Sequence, residues 1–254
     1  MLGKVALISV FVGLDGNSWS GEEIDQAHRS LINAGSWIER EAHRWNALVN
    51  IAIADTFFLM DDQAEEPVEV DFLPEGDDVG PMEANASAKA FAAASRAAAS
   101  LGFTDVVGLF REINPRIESD AKVWLFHLRR RGRSHAIPAA EGDISGVGLA
   151  ICYSRESSFP EPLDGRGRVD PTTVAHELLH LFGATDKYGS SLSSYPTNAV
   201  GHRDVMRLSY DALGRMTIDS MTASEIGWRS SSGINPTHQK KPPGPRRSGR
   251  FGLT

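Results

Sequence analysis

The sequence has a single cysteine, Cys152, among 254 residues. One cysteine cannot form a disulfide within the chain, and it cannot supply a zinc or iron–sulfur site built from several cysteines. Any bound metal must therefore be held by histidine, aspartate or glutamate side chains. Because Cys152 falls in an apolar stretch that predicts a core strand, we expect a buried apolar residue there rather than a metal ligand.

Long hydrophobic runs are also missing, since no apolar stretch approaches the roughly 20 residues that span a bilayer. Positive charge is in deficit, because 26 Lys and Arg face 33 Asp and Glu and give a net charge of −7. This balance disfavours binding to a phosphate backbone. We therefore expect no nucleic acid and no membrane among the partners, and the sequence says nothing about oligomeric state.

An apolar run at residues 5–14 follows Lys4 and is the one candidate for a secretion signal. No small-residue cleavage site comes after it. We interpret the run as a buried first strand that ends in a turn. The predicted location is cytoplasmic, with secretion as the alternative.

The order of apolar patterns predicts one α/β (α+β) domain over residues 1–229. Ser20 and Glu23 form a capping-box pattern, and the apolar spacing that follows predicts a long amphipathic helix. Residues 48–60 are almost continuously apolar, which is typical of a strand buried on both faces, and a parallel crossover is expected between the two strands. The other expected elements are an acidic surface excursion at 61–81, a helix at 83–101, strands at 122–128 and 146–153, and a disordered basic tail at 230–254.

The segment at residues 170–188 reads DPTTVAHELLHLFGATDKY and carries the chemistry. Asp170 is placed to cap a helix. His176 and His180 lie four residues apart, so both imidazoles project from one face of that helix and can bind one Zn²⁺. Glu177 stands beside the first histidine, where its carboxylate can reach a metal-bound water.

A third ligand is expected after the helix. Gly183 can adopt the left-handed conformation that ends a helix and reverses the chain, which can bring Asp186 back to the metal. Two histidines and one carboxylate leave the fourth position of a tetrahedral zinc site open for water, as a catalytic site requires. His202 and Glu225 are the rival candidates for the third ligand.

Five residues of this segment follow the pattern HExxHxxGxxD: His176, Glu177, His180, Gly183 and Asp186. The pattern resembles the metzincin clan of zinc metalloproteases, in the variant with aspartate as third ligand that snapalysin-like proteases have. The resemblance implies a twisted mixed sheet, a long backing helix and an active-site helix that carries HExxH.

The resemblance also implies a methionine turn beneath the metal, and Met206 in the segment HRDVM matches it. Metzincins often place a tyrosine two residues after this methionine, but Leu208 occupies that position. Tyr210 and Tyr188 are therefore the candidates for stabilising the oxyanion. Residues 218–228 match the C-terminal helix of such a domain.

The sequence thus predicts a zinc-dependent endopeptidase that hydrolyses a peptide or protein substrate with a metal-activated water and Glu177 as general base. The resemblance implies that an extended substrate pairs with a strand among residues 133–153. One alternative is a zinc aminopeptidase or small-peptide hydrolase. The other is a catalytically silent, metal-bound interaction module, which Glu177 argues against because a pure binding site needs no general base.

Overall fold

Most of the predicted catalytic domain is described by the computed structural model. The described residues are 1–14, 18–61, 91–92, 95–96, 98–99, 101–132, 134–137, 148–156, 169–187, 203–207 and 212–229. The predicted acidic excursion, apart from its first residue, and the predicted basic tail lie outside them. Among the described residues, no helix is both long and apolar enough to cross a membrane.

Five strands form one mixed sheet with the order β2–β1–β3–β5–β4. Their bounds are β1 (Gly3–Leu14), β2 (Val49–Asp61), β3 (Ala121–Gly132), β4 (His135–Ile137) and β5 (Gly148–Glu156). The first four strands in this order, β2, β1, β3 and β5, run parallel to one another, and β4 pairs antiparallel with β5. The predicted α/β class with a mixed sheet is confirmed.

The strand β1 occupies the centre of the sheet, and its apolar side chains are almost completely buried. The prediction for β2 is wrong in one respect, since this strand lies at an edge and is not buried on both faces. Ala52, Ala54 and Phe58 are exposed. The exposure follows from the edge position of β2. For the two alanines it costs little hydrophobic free energy, because the exposed group is a single methyl.

The long helix α1 (Gly21–Arg44) begins as predicted, with Ser20 and Glu23 in a complete capping box. It packs against β2 and against the helix that carries the two histidines of the motif. Ser30 Oγ donates a hydrogen bond of 2.6 Å to the Val169 carbonyl, next to the start of that helix. The buried Glu41 accepts a hydrogen bond of 2.9 Å from Ile218 N. The backing helix therefore anchors the chain on both sides of the candidate site.

Each face of the sheet has its own hydrophobic core. The core beneath α1 also contains the motif helix and the C-terminal segment. The other core contains α2 (Val106–Ile113), which the sequence analysis did not predict. It also includes Ala98 of the helix predicted at 83–101, and Phe91 of the same helix packs against it. The described residues between 91 and 99 are helical, in agreement with that prediction.

Candidate metal centre

The motif lies on α3 (Pro171–His180), a short and firmly seated helix. The Asp170 side chain caps it by accepting hydrogen bonds of 2.8 Å from Thr172 N and 2.9 Å from Thr173 N. Val174 and Leu178 are fully buried on its inner face. The cap predicted from the sequence is confirmed. The cap and the buried inner face together fix the direction in which the opposite face points.

The chain reverses directly after α3, as predicted from the position of Gly183. Gly183 has φ of 100°, in the left-handed region that favours glycine. Its N–H donates to the His180 carbonyl at 2.9 Å, and Ala184 N donates to the Leu179 carbonyl at 3.1 Å. These two bonds close the end of the helix and bring Asp186 back to the face that carries His176 and His180.

Three ligand atoms converge at this place. The Nε2 atoms of His176 and His180 are 3.0 Å apart, and Asp186 Oδ1 lies 3.2 Å from the first and 3.1 Å from the second. Ligand atoms on a tetrahedral zinc with bonds of about 2.0 to 2.1 Å are separated by about 3.3 Å, close to these distances. The side chains present therefore fit the metal that the spacing predicts.

Backbone carbonyls fix the ring protons of both histidines. His176 Nδ1 donates to the Val205 carbonyl at 3.0 Å, and His180 Nδ1 donates to the Ala184 carbonyl at 2.8 Å. In a neutral imidazole the proton is then on Nδ1 and the lone pair is on Nε2. Three lone pairs therefore face one another at the cluster, an arrangement that a proton or a metal cation between them stabilises.

Contacts within the cluster shift the pKa values of His176 and Asp186 toward the charged forms. Burial disfavours the charged form of His176, but its contact with Asp186 and the nearby carboxylates outweigh burial and raise its pKa. For Asp186, burial alone would raise the pKa. Its contacts with the two histidines outweigh burial and hold the pKa well below the usual range. The carboxylate is therefore ionised and available to a cation.

Glu177 follows His176 on α3. Its side chain is buried, and Oε2 has no hydrogen-bond partner among the described residues. Burial raises its pKa, while the charges of His176, His180 and His135 act in the opposite direction. A desolvated carboxylate without a partner accepts a proton more readily than a solvated one.

A tight turn lies against His176. It contains the 3-10 helix Val205–Arg207, and Met206 is fully buried there. The buried Asp204 holds the turn by accepting hydrogen bonds from Met206 N at 2.9 Å and Asp219 N at 2.7 Å. Burial, together with the charge of Asp219, raises the pKa of Asp204 to about 6. The turn thus presents the Val205 carbonyl that orients His176.

The sequence analysis missed two of these contributors. The role of the Val205 carbonyl has no signature in the sequence, because any residue supplies a carbonyl. His135, to which the sequence analysis gave no role, lies half-buried on β4, a strand that packs against α3, and its charge acts on Glu177. A strand of three residues carries too little periodicity to be detected.

Of the rival ligands, Glu225 is not part of the cluster, which consists of His176, His180 and Asp186. Its carboxylate instead accepts hydrogen bonds from the loop that carries Asp186. His202 and the two predicted oxyanion residues, Tyr188 and Tyr210, lie outside the described part of the chain.

Cys152 is fully buried on β5, as predicted.

No protein-family model matches this chain, and no curated protein matches it. Among solved structures, the chain is similar to a zinc-dependent peptidase from Methanocorpusculum labreanum (strain Z). The two are 13% identical, with 86% of this chain and 99% of that chain covered and a TM-score of 0.35. A likeness this weak carries no functional weight, and the chemistry has to be inferred from the side chains themselves.

Proposed function

We propose that this protein is a zinc-dependent metallopeptidase of the metzincin type, with His176, His180 and Asp186 as zinc ligands. The observation that carries the proposal is the convergence of two imidazole Nε2 atoms and one carboxylate oxygen within 3.0 to 3.2 Å of one another. Two nitrogens and one oxygen suit zinc and leave a fourth position for water. When bound, zinc supplies Lewis acidity, which polarises a peptide carbonyl and lowers the pKa of water to about 7.

The chain's own contribution to the reaction comes from Glu177. In this proposal its carboxylate takes the proton of the attacking water and later delivers it to the leaving amine. Its place next to His176 on α3 supports that role, and so does the raised pKa that burial gives it. A base whose pKa is closer to neutrality also returns the proton more readily.

The turn around Met206 is proposed to be the methionine turn of a metzincin. Its support is positional, since Met206 is fully buried and the neighbouring Val205 carbonyl accepts the His176 Nδ1 proton. In this role the turn fixes the tautomer and ring orientation of one ligand. Tyr210 and Tyr188 stay predictions for oxyanion stabilisation.

The substrate is proposed to be an extended peptide that pairs with the sheet beside the metal. The short strand β4 ends the strand order of the sheet, pairs antiparallel with β5 and packs against α3. We propose that the substrate binds along its outer edge. An extended peptide adds to such an edge through backbone hydrogen bonds. Binding through the backbone along a strand favours cleavage within a chain, and we therefore propose an endopeptidase.

The test is digestion of a complex peptide library by the zinc-loaded protein, read by mass spectrometry. Glu177→Gln keeps the shape of the side chain but removes the base, and it should lower the cleavage rate about 100- to 10,000-fold. Glu22→Gln, an exposed position on α1, is the matched control and should cleave like the wild type.

The pattern of cuts decides between the candidate activities. Internal cuts that disappear in Glu177→Gln would support the endopeptidase, whereas removal of N-terminal residues alone would indicate an aminopeptidase. A protein that holds one zinc per chain and makes no cuts would contradict the peptidase and favour an interaction module.

A further inference from the structure

The carboxylate of Glu225 holds the chain on both sides of Asp186. Its Oε1 accepts a hydrogen bond of 2.8 Å from Thr185 Oγ1, and its Oε2 accepts one of 3.1 Å from Thr185 N. The same Oε2 pairs with Lys187 Nζ at 2.7 Å. Glu225 is the last residue of the C-terminal helix α4 (Ser220–Glu225). One side chain thus ties that helix to the two neighbours of the candidate ligand.

Lys187 is the second residue that fixes the segment around Asp186. It is fully buried, although lysine is almost never found fully buried unless it is paired. Its Nζ also donates to the Thr185 carbonyl at 2.8 Å, and its backbone N–H donates to the Met206 carbonyl at 2.9 Å. The segment from 185 to 187 is therefore fixed to α4 and to the turn beside His176.

The ligand atom Asp186 Oδ1 is buried, although 37% of the side chain as a whole is exposed. If the backbone on either side of Asp186 were free to move, ordering it when the metal binds would cost conformational entropy and weaken binding. The end of α4 also lies against the reversal, because a Cβ on Gly183 would meet the Glu225 carbonyl oxygen at 3.4 Å. The helix, the reversal and the ligand loop thus form one contact region.

We propose that Lys187 and Glu225 are positioning residues that hold Asp186 in place for the metal and so set its affinity. This inference rests on the proposed metal site. It gives Glu225, a candidate third ligand by sequence, a different role: its carboxylate aims the ligand instead of binding the metal.

The experiment measures the dissociation constant for Zn²⁺ by competition with a chromophoric chelator, and the Tm of the metal-free protein. Glu225→Gln should raise the zinc dissociation constant about 10- to 100-fold, the loss typical when a residue that orients a ligand is removed. It should also change the visible spectrum of the Co²⁺-substituted protein, because Asp186 no longer holds one position. Glu23→Gln is the control: Glu23 lies on α1, its side chain is more buried than that of Glu225 (5% against 20% exposed), and it pairs with Arg129 of β3 at 3.0 Å. The control should lower Tm and leave the zinc dissociation constant unchanged.

A second variant covers the case in which Glu225→Gln fails to fold because it removes the carboxylate that pairs with the buried charge of Lys187. The double variant Lys187→Met/Glu225→Met removes both charges, an exchange that buried ion pairs often tolerate. We expect it to fold and to bind zinc at least 10-fold more weakly than the wild type, since the bonds to Thr185 are lost. Wild-type zinc affinity in either folded variant would overturn the positioning role. If the wild type itself bound no zinc, the proposed function would fail instead.

Discussion

The buried imidazole of His127 predicts a loss of stability in mild acid. His127 lies on β3, fully buried beneath α1, with Nε2 3.3 Å from Ser9 Oγ. Its Nδ1 has no hydrogen-bond partner among the described residues. Burial, with a further contribution from the charge of His28, lowers its pKa from 6.5 to about 3. The folded protein therefore keeps this ring neutral over a pH range in which the unfolded chain protonates it.

The sign and size follow from the two pKa values. A group whose pKa is lowered on folding stabilises the protein fully above its unfolded pKa, here 6.5, and the stabilisation is lost as the pH falls toward the folded value of about 3. Within this range the free energy of unfolding falls by about 1.4 kcal/mol for each pH unit. Between about pH 7.5 and pH 5 the loss from His127 alone amounts to about 2 kcal/mol.

The assay is urea unfolding of the metal-free protein at these two pH values. The wild type should lose about 2 kcal/mol more than His127→Gln between them, because glutamine does not titrate. His43→Gln removes an exposed histidine of α1 and should behave like the wild type. An equal loss in wild type and His127→Gln would refute the reasoning.

Three further predictions concern the site and its helix. Gly183→Ala places a Cβ at φ of 100°, so urea unfolding of the metal-free protein should show a loss of about 1 to 2 kcal/mol; an unchanged midpoint would count against a strained reversal. Asp170→Ala removes the cap of α3 and should cost about 1 kcal/mol in the same assay, and a loss below a few tenths would mean that the cap is dispensable. Free zinc at 100 times its dissociation constant should stabilise the wild type by about 2.7 kcal/mol. His180→Ala at the same zinc concentration should gain almost nothing, and an equal gain would place the metal elsewhere.

The convergence of His176, His180 and Asp186 was predictable because its signals are local. The spacing of His176 and His180 fixes their common face, and Gly183 marks the point of reversal within the same eleven residues. Asp186 needs only that reversal to reach the histidines. The helix α1 was predictable because it is long enough for its apolar pattern to show the helical period. The strands β1, β3 and β5 were predictable because they are short apolar runs, as is typical of strands covered on both faces.

The features that escaped prediction depend on contacts distant in the sequence. The strand β4 has three residues and exists through its pairing with β5. The exposure of β2 follows from its place at the sheet edge, which the order of strands decides. Glu225 reaches a loop about 40 residues earlier in the chain. Nothing in its local sequence distinguishes a carboxylate that binds a metal from one that holds the ligand's neighbours.

X-ray absorption at the zinc edge tests the central claim most directly. The protein loaded with one equivalent of zinc should retain one ion per chain, with two imidazole nitrogens at about 2.0 to 2.1 Å, oxygen donors at about 2.0 to 2.2 Å and no sulfur. The imidazole signal should fall by half in His176→Ala, and Asp186→Ala should weaken binding. A zinc–sulfur distance of about 2.3 Å, or a spectrum that neither variant changes, would contradict the assignment of the metal to these three side chains.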